Sequence, residues 1–447
     1  MIKDSVNSSE RNVSIKYIEL HNFKNIANGR IYFIRNVIGI YGQNGSGKTA
    51  VIEALDFFQK LVMGASCWSD LSKYIYYGKC DMFVMFCFNI QDNDSEYEIK
   101  YKYGINKKNN YEDVEYEFVE EYSGSDEKSY ISYSSWNSQS VLEQLGQTFD
   151  LDEEKRINLQ IQMGIAKEAE RSIVFSRKII ESIYDISAYN TMIKDIILLR
   201  SFSISNLFVI TSKDIGAINL KLAVPFSFKS HDRKKIIKGT IPISISDIDI
   251  ISQDQLNVLQ SIIDTINIVI PHIIPNVRLY LENYGEANTA DGLRGVRVEL
   301  LSVHNDMKIP IQYESAGIIK IISILSAIIA MYNHRNICVV VDELDSGVFE
   351  YLLGDILNVI DKNGKGQLLF TSHNLRILET INKQSVIFTT INPENRYVTV
   401  PSEESVPNLR DWYLRKLLLG TGKNKLNEGI DIYDLGMSLV RAGRTEI

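Results

Sequence analysis

Cysteine, proline and long apolar runs are all scarce in this chain, and each scarcity closes off a class of protein. Only Cys67, Cys80, Cys87 and Cys338 stand among 447 residues. None forms a Cys-x-x-Cys pair, and the six histidines make no ligand-spaced cluster. Structural zinc is therefore not expected, and a reducing, cytoplasmic setting is. Prolines number 8, and 45% apolar against 23% charged residues is the balance of an ordinary globular chain. Residues 1–12 lack a signal-like apolar core. The longest apolar stretch, residues 317–332, is short for a membrane span and carries Lys320, so it predicts a buried helix and no membrane. Basic excess is missing too. A net charge of −8 excludes a uniformly basic coat while leaving room for a local basic groove.

What is present is concentrated at residues 42–49, Gly-Gln-Asn-Gly-Ser-Gly-Lys-Thr, which fits G-x-x-x-x-G-K-[ST] at every fixed position. An apolar, β-branched run (34–41) leads in as a strand, and a stripe of Val51, Ile52, Leu55, Phe58 and Val62 follows as a helix (50–63). Strand, glycine loop and helix make a phosphate cradle. Gly42, Gly45 and Gly47 let backbone amides converge on the phosphates, with Asn44 and Ser46 between them, and the helix N-terminus adds partial positive charge. Lys48 is the candidate for the β- and γ-phosphates of ATP, and the Thr49 hydroxyl for Mg²⁺.

Strands are expected at 14–21 and 29–34. From 82 to 133 the aromatic-rich runs 82–90, 96–103 and 114–122, separated by polar turns, predict an antiparallel meander. Residues 139–199 have helical period without sustained heptads, and short strands fill 207–245. A helix at 252–270 and two strands within 276–301 follow. From 308 an α/β pattern resumes: helix 316–332, strand 336–341, helix 349–361, strand 366–371, helix 374–381, strands 385–391 and 396–400. Helices 409–419 and 432–442 close the chain. The fold class is α/β, a P-loop head with an antiparallel β-meander lobe and a helical and mixed middle insertion. The expected division is 1–65 and 308–405 for the two halves of the head, 66–135 for the β lobe, 136–307 for the insertion and 406–447 for a helical tail.

The second half of the site begins at Cys338-Val339-Val340-Val341-Asp342-Glu343, four apolar residues followed by two acids. Asp342 is placed to hold the Mg²⁺ shell and Glu343 to polarise the attacking water. Asp345-Ser346-Gly347 comes next. Glu314-Ser315-Ala316-Gly317 opens a helix before it, and Thr371-Ser372-His373-Asn374 ends a strand after it. This order resembles the ABC-type ATPases, and within them the SMC-related AAA-family ATPases of bacterial antiphage defence and abortive-infection systems. The opening Ile15-Lys16-Tyr17-Ile18-Glu19-Leu20-His21-Asn22-Phe23-Lys24-Asn25-Ile26 is similar to their first strand. The resemblance covers about residues 14–60 and 308–400.

It implies a homodimer, or higher oligomer, sharing two sandwiched ATP molecules. Ser315 and Gly317 would form an anion hole for the γ-phosphate held by the other subunit. His373 would contact the phosphate bound by its own subunit, and Asp345 the partner across the interface. The glutamine that senses Mg²⁺ in such enzymes has no diagnostic context among Gln139, Gln160 and Gln162. Related nucleases carry a Toprim domain after the switch histidine. The 74 residues beyond His373 are too few for one, so a separate effector, a nuclease or other toxin, is expected. The leading reading is a slow, regulated ATPase switch in antiviral defence. The alternative is a DNA-repair or chromosome-associated ATPase acting directly on DNA. His231-Asp232-Arg233-Lys234-Lys235 reads as a solvated turn or as a nucleic-acid contact. The meander tyrosines read as a sheet face before a base-stacking platform, and 150–154 as a helix cap.

Overall fold

The computed structural model describes residues 11–92, 95–107, 113–122, 132–135, 152–183, 190–211, 222–229, 236–243, 248–288, 292, 294–401, 406–419, 425–426 and 432–442. The basic loop at 231–235 and Gln139 lie outside the described residues.

The chain opens with strands β1 (Arg11–Phe23) and β2 (Ile26–Tyr32), then β3 (Val37–Tyr41) and helix α1 (Lys48–Met63). After a short helix α2 (Trp68–Leu71) come β4 (Asp81–Asp92), β5 (Ser95–Lys107), β6 (Asp113–Tyr122) and β7 (Ser132–Ser135). The meander is antiparallel as its alternation requires, and it does not stand alone. β1 pairs with β4, giving one six-stranded sheet in the order β2-β1-β4-β5-β6-β7. The strands expected in the head at 14–21 and 29–34 are thus hydrogen-bonded into the β lobe.

Helices α3 (Glu153–Glu168), α4 (Arg177–Ile183) and α5 (Asn190–Ser205) follow. Asp152 caps α3, its side chain accepting from the Lys155 amide. Next are β8 (Leu207–Ile210), the hairpin β9 (Leu222–Lys229) and β10 (Ile236–Ile243), and β11 (Asp249–Ser252). Helix α6 (Gln253–Ile273) starts with a reciprocal Ser252–Gln255 capping box and packs on β12 (Val277–Asn288) and β13 (Arg294–His304). β14 (Met307–Pro310) turns the chain into α7 (Ala316–Asn333). Helices α6 and α7 are both long and apolar enough to cross a membrane by length and composition. Each instead contributes side chains to the core shared with β11–β13.

The remaining elements are β15 (Cys338–Val341), α8 (Glu350–Asn363), β16 (Gln367–Ser372), β17 (Val386–Thr389), β18 (Tyr397–Thr399), α9 (Leu409–Leu419) and α10 (Ile432–Ala442). Where a helix was expected at 374–381 there is a 3₁₀ turn, Ile377–Glu379. Asn374 accepts the Arg376 amide through its own side chain, and this local bond competes with helix formation.

The central sheet runs β18-β17-β3-β16-β15-β8, parallel except for β18. Period-two alternation splits its side chains between two cores. Cys338 and Val340 face α1 and the β lobe, whereas Val339 and Val341 join residues of α7 and α8. Tyr101 and Tyr103 are fully buried, and Tyr103 donates to the Ala54 carbonyl of α1 at 2.9 Å. These meander tyrosines are packing residues.

Candidate functional site

The carboxyl ends of β3, β16 and β15 lie side by side, so the loops that follow them meet. The loop after β3 is the 42–49 string. Gly45 and Gly47 have φ of 76° and 95°, the left-handed region where a Cβ is costly. Gly42 is required for space: a Cβ there would stand 1.7 Å from the Thr389 hydroxyl. Asn25 donates to the Gly45 carbonyl, Tyr397 to the Gly47 carbonyl at 2.8 Å, and Ser46 pairs with Thr389 at 2.5 Å. Asn44 and Gly45 stay exposed at the tip. Lys48 is buried and folds back, donating to the carbonyls of Gly42 at 2.9 Å and Gln43 at 2.7 Å. Burial lowers its pKa, opposed by the charges of Asp342, Glu343 and Asp345.

Asp342 closes β15 and is fully buried. Its Oδ1 accepts from Thr371 at 2.6 Å and from Thr49 at 3.3 Å, while Oδ2 is buried with no hydrogen-bond partner. An orphaned carboxylate oxygen beside a threonine hydroxyl is the donor set a hard cation takes, so the residues fit Mg²⁺. Glu343 follows with φ of 48° and is exposed. The Thr371 hydroxyl, a donor to Asp342, accepts the Glu343 amide at 2.7 Å. One threonine therefore sets the spacing of both acids.

Asp345 accepts the His373 amide through Oδ2 at 3.0 Å, and its Oδ1 is buried without a partner. Desolvation first, and the Lys48 charge second, hold the His373 pKa below its usual value. Ser315 caps α7 by accepting the Ile318 amide at 3.3 Å. A Cβ on Gly317 would come 1.9 Å from the Gly347 carbonyl, so glycine is what lets α7 sit on the loop after Asp345. The structure thus gathers Lys48, Thr49, Asp342, Glu343, Asp345 and His373 at one edge, and places Ser315 and Gly317 against the Asp345–Gly347 side of it.

Sequence reasoning missed Thr371 as the link between the acids, Asn25 and Tyr397 as braces of the loop, and Lys320. The last carried a visible signal, a lone lysine inside an apolar helix. It is 2% exposed and donates to the Glu343 carbonyl. The glutamines at 160 and 162 lie on α3.

A family profile described as AAA ATPase domain matches residues 14–378. The chain is similar to a DNA double-strand break repair Rad50 ATPase from Methanocaldococcus jannaschii, 34% identical over 80 residues, 18% of this chain and 8% of that protein. It is also similar to the DNA replication and repair protein RecF of Shewanella loihica, 33% identical over 87 residues, 20% of this chain and 23% of that protein. These curated relatives are therefore matched over less than a quarter of their own length. Among solved structures, an SMC head bound to the C-winged helix domain of ScpA aligns with 87% of this chain and 99% of that chain, at 13% identity and a TM-score of 0.44.

Proposed function

Because this chain belongs to the AAA ATPase domain family, we propose that it binds ATP with Mg²⁺ at residues 42–49 and hydrolyses it as a slow, regulated switch. The observation that carries this reading is Asp342: a fully buried carboxylate with one oxygen unpartnered, 3.3 Å from the Thr49 hydroxyl and one residue from an exposed glutamate. Amides of the loop and Lys48, released from the Gly42 and Gln43 carbonyls, take the phosphates. Thr49 and Asp342 would hold Mg²⁺, which would supply charge neutralisation for the phosphates. Glu343 orients a water and accepts its proton, and His373 stands beside the γ-phosphate.

The site is shared in a homodimer. Gly317 packs on Gly347, which leaves the Ser315 helix end beside the subunit's own Asp345 loop. From there Ser315 and Gly317 serve the nucleotide of a second copy, and turnover is slow until two copies meet. Mixing Lys48→Ala with Ser315→Arg, each inactive alone, should restore about one competent site per heterodimer. A monomer with full turnover at every concentration by light scattering would sink the shared site.

The sequence resemblance alone suggests a defence switch acting on a separate effector. The DNA-repair names of the matched relatives favour a second reading, an SMC-like ATPase acting directly on DNA. ATP turnover stimulated by DNA in the purified protein separates the two. Stimulation favours the second reading, and its absence with a responsive partner protein favours the first.

A further inference from the structure

An ionised amine is costly to bury unless it gains a partner. Lys320 lies about one turn into α7, between Ile319 and Ile321, where it is 2% exposed. Its amine donates to the main-chain carbonyl of Glu343. That carbonyl also accepts the Ser346 amide at 2.9 Å, and the Glu343 amide is held by Thr371 at 2.7 Å. Both main-chain polar groups of Glu343 are therefore anchored, in a left-handed conformation that is strained for a non-glycine residue. The residue itself is exposed, and its carboxylate has no bond among the described residues that competes with water.

We infer that Lys320 is a positioning residue for hydrolysis: from the helix that Ser315 caps, it holds the Glu343 backbone in the conformation that aims the carboxylate at the attacking water. The inference rests on the hydrolytic reading above and adds a residue outside the motifs that reading uses. A neutral, unbranched side chain one atom shorter, such as methionine, would fill most of the space without holding the carbonyl. Burial lowers the Lys320 amine to about 8, with Asp345, Glu343 and Asp342 opposing the shift, so it still carries its proton at neutral pH.

The test is a double-mutant cycle on turnover, with ATP affinity measured by calorimetry as the check on folding. Lys320→Met should lower kcat about 10- to 100-fold with ATP affinity within about threefold of wild type. In a Glu343→Gln background the same change should cost less than about threefold, because the residue through which Lys320 acts is already disabled. Lys320→Arg, which retains a cationic donor, should recover part of the lost kcat. Lys320→Met turnover within about threefold of wild type, or an equal loss in both backgrounds, overturns the positioning role. Should Lys320→Met fail to bind ATP, Lys320→Arg decides in its place: a partial loss of kcat with intact affinity that vanishes in the Glu343→Gln background supports the role, and a loss that persists there, or turnover equal to wild type, overturns it. If wild-type protein shows no turnover that Glu343→Gln abolishes, the hydrolytic reading itself falls and this inference with it.

Discussion

The two ends of the central sheet are made of the same strands and treat their polar groups in opposite ways. At the amino end, Gln367 accepts the Ile15 amide and donates to the Ile15 carbonyl, both at 2.7 Å. Asn336 repeats the pattern with Val13 and Arg11, both at 3.1 Å, and Asn36 donates to Gly364 at 2.9 Å. Gln367 and Asn336 staple β1 to the sheet, and Asn36 ties the segment before β3 to the turn before β16. At the carboxyl end, Asp342 and Asp345 each keep a buried oxygen unpartnered, and Glu343 sits in a left-handed conformation. At one end these polar groups are paired with one another, which contributes stability. The other retains unmet polar capacity and strain, which a ligand can relieve.

The sharpest break between the ends is kinetic. Glu343→Gln should lower turnover roughly 10²–10⁴-fold while ATP affinity by calorimetry stays within about threefold. Turnover close to wild type would remove the carboxyl end from the chemistry. Gln367→Ala should do the reverse. It strands the buried amide and carbonyl of Ile15, at about 1–3 kcal/mol for each group, and should lower the denaturation midpoint with kcat unchanged. A loss of kcat in the folded variant would blur the contrast.

A smaller effect has the opposite sign. Asp342→Asn exchanges a partly unpartnered buried charge for a neutral amide, so the nucleotide-free protein should gain about 1 kcal/mol while turnover is lost. A drop in its nucleotide-free melting temperature would show that Asp342 stabilises the fold and is not held in reserve for a ligand.

The least effect is expected from Glu117, a buried acid of the β lobe whose partners are complete. It accepts from Tyr101 at 2.8 Å, Ser172 at 2.6 Å, and the amides of Ile173 at 2.8 Å and Val174 at 3.3 Å. Desolvation nonetheless raises its pKa above the ordinary 4.5, outweighing those donors. With the folded value above the unfolded one, its contribution is fully present below pH 4.5 and declines as pH rises through the folded value. Denaturant titrations should show that decline in wild type and a flatter profile in Glu117→Gln. Identical slopes would refute it.

The local chemistry is legible in the order of residues alone. Residues 42–49 specify a loop because glycine spacing and a lysine-threonine pair act within one turn of backbone. The acids after Val341 are legible because an apolar run ends there. Helices α3 and α6 announce their starts through Asp152 and Ser252, whose side chains cap backbone amides three residues on. Contacts across long separations come from folding. Residues 207–210 look like any short apolar strand, yet β8 pairs in parallel with β15, whose partner residues lie 131 positions away. β1 and β2 sit beside the phosphate loop in sequence and pair into the lobe instead. Lys320 reads as an interruption of an apolar helix until folding brings the Glu343 carbonyl to it. The physical reason is common to all three: spacing within a segment fixes its backbone and its apolar faces, but pairing between distant segments depends on register and burial that no single stretch of sequence contains.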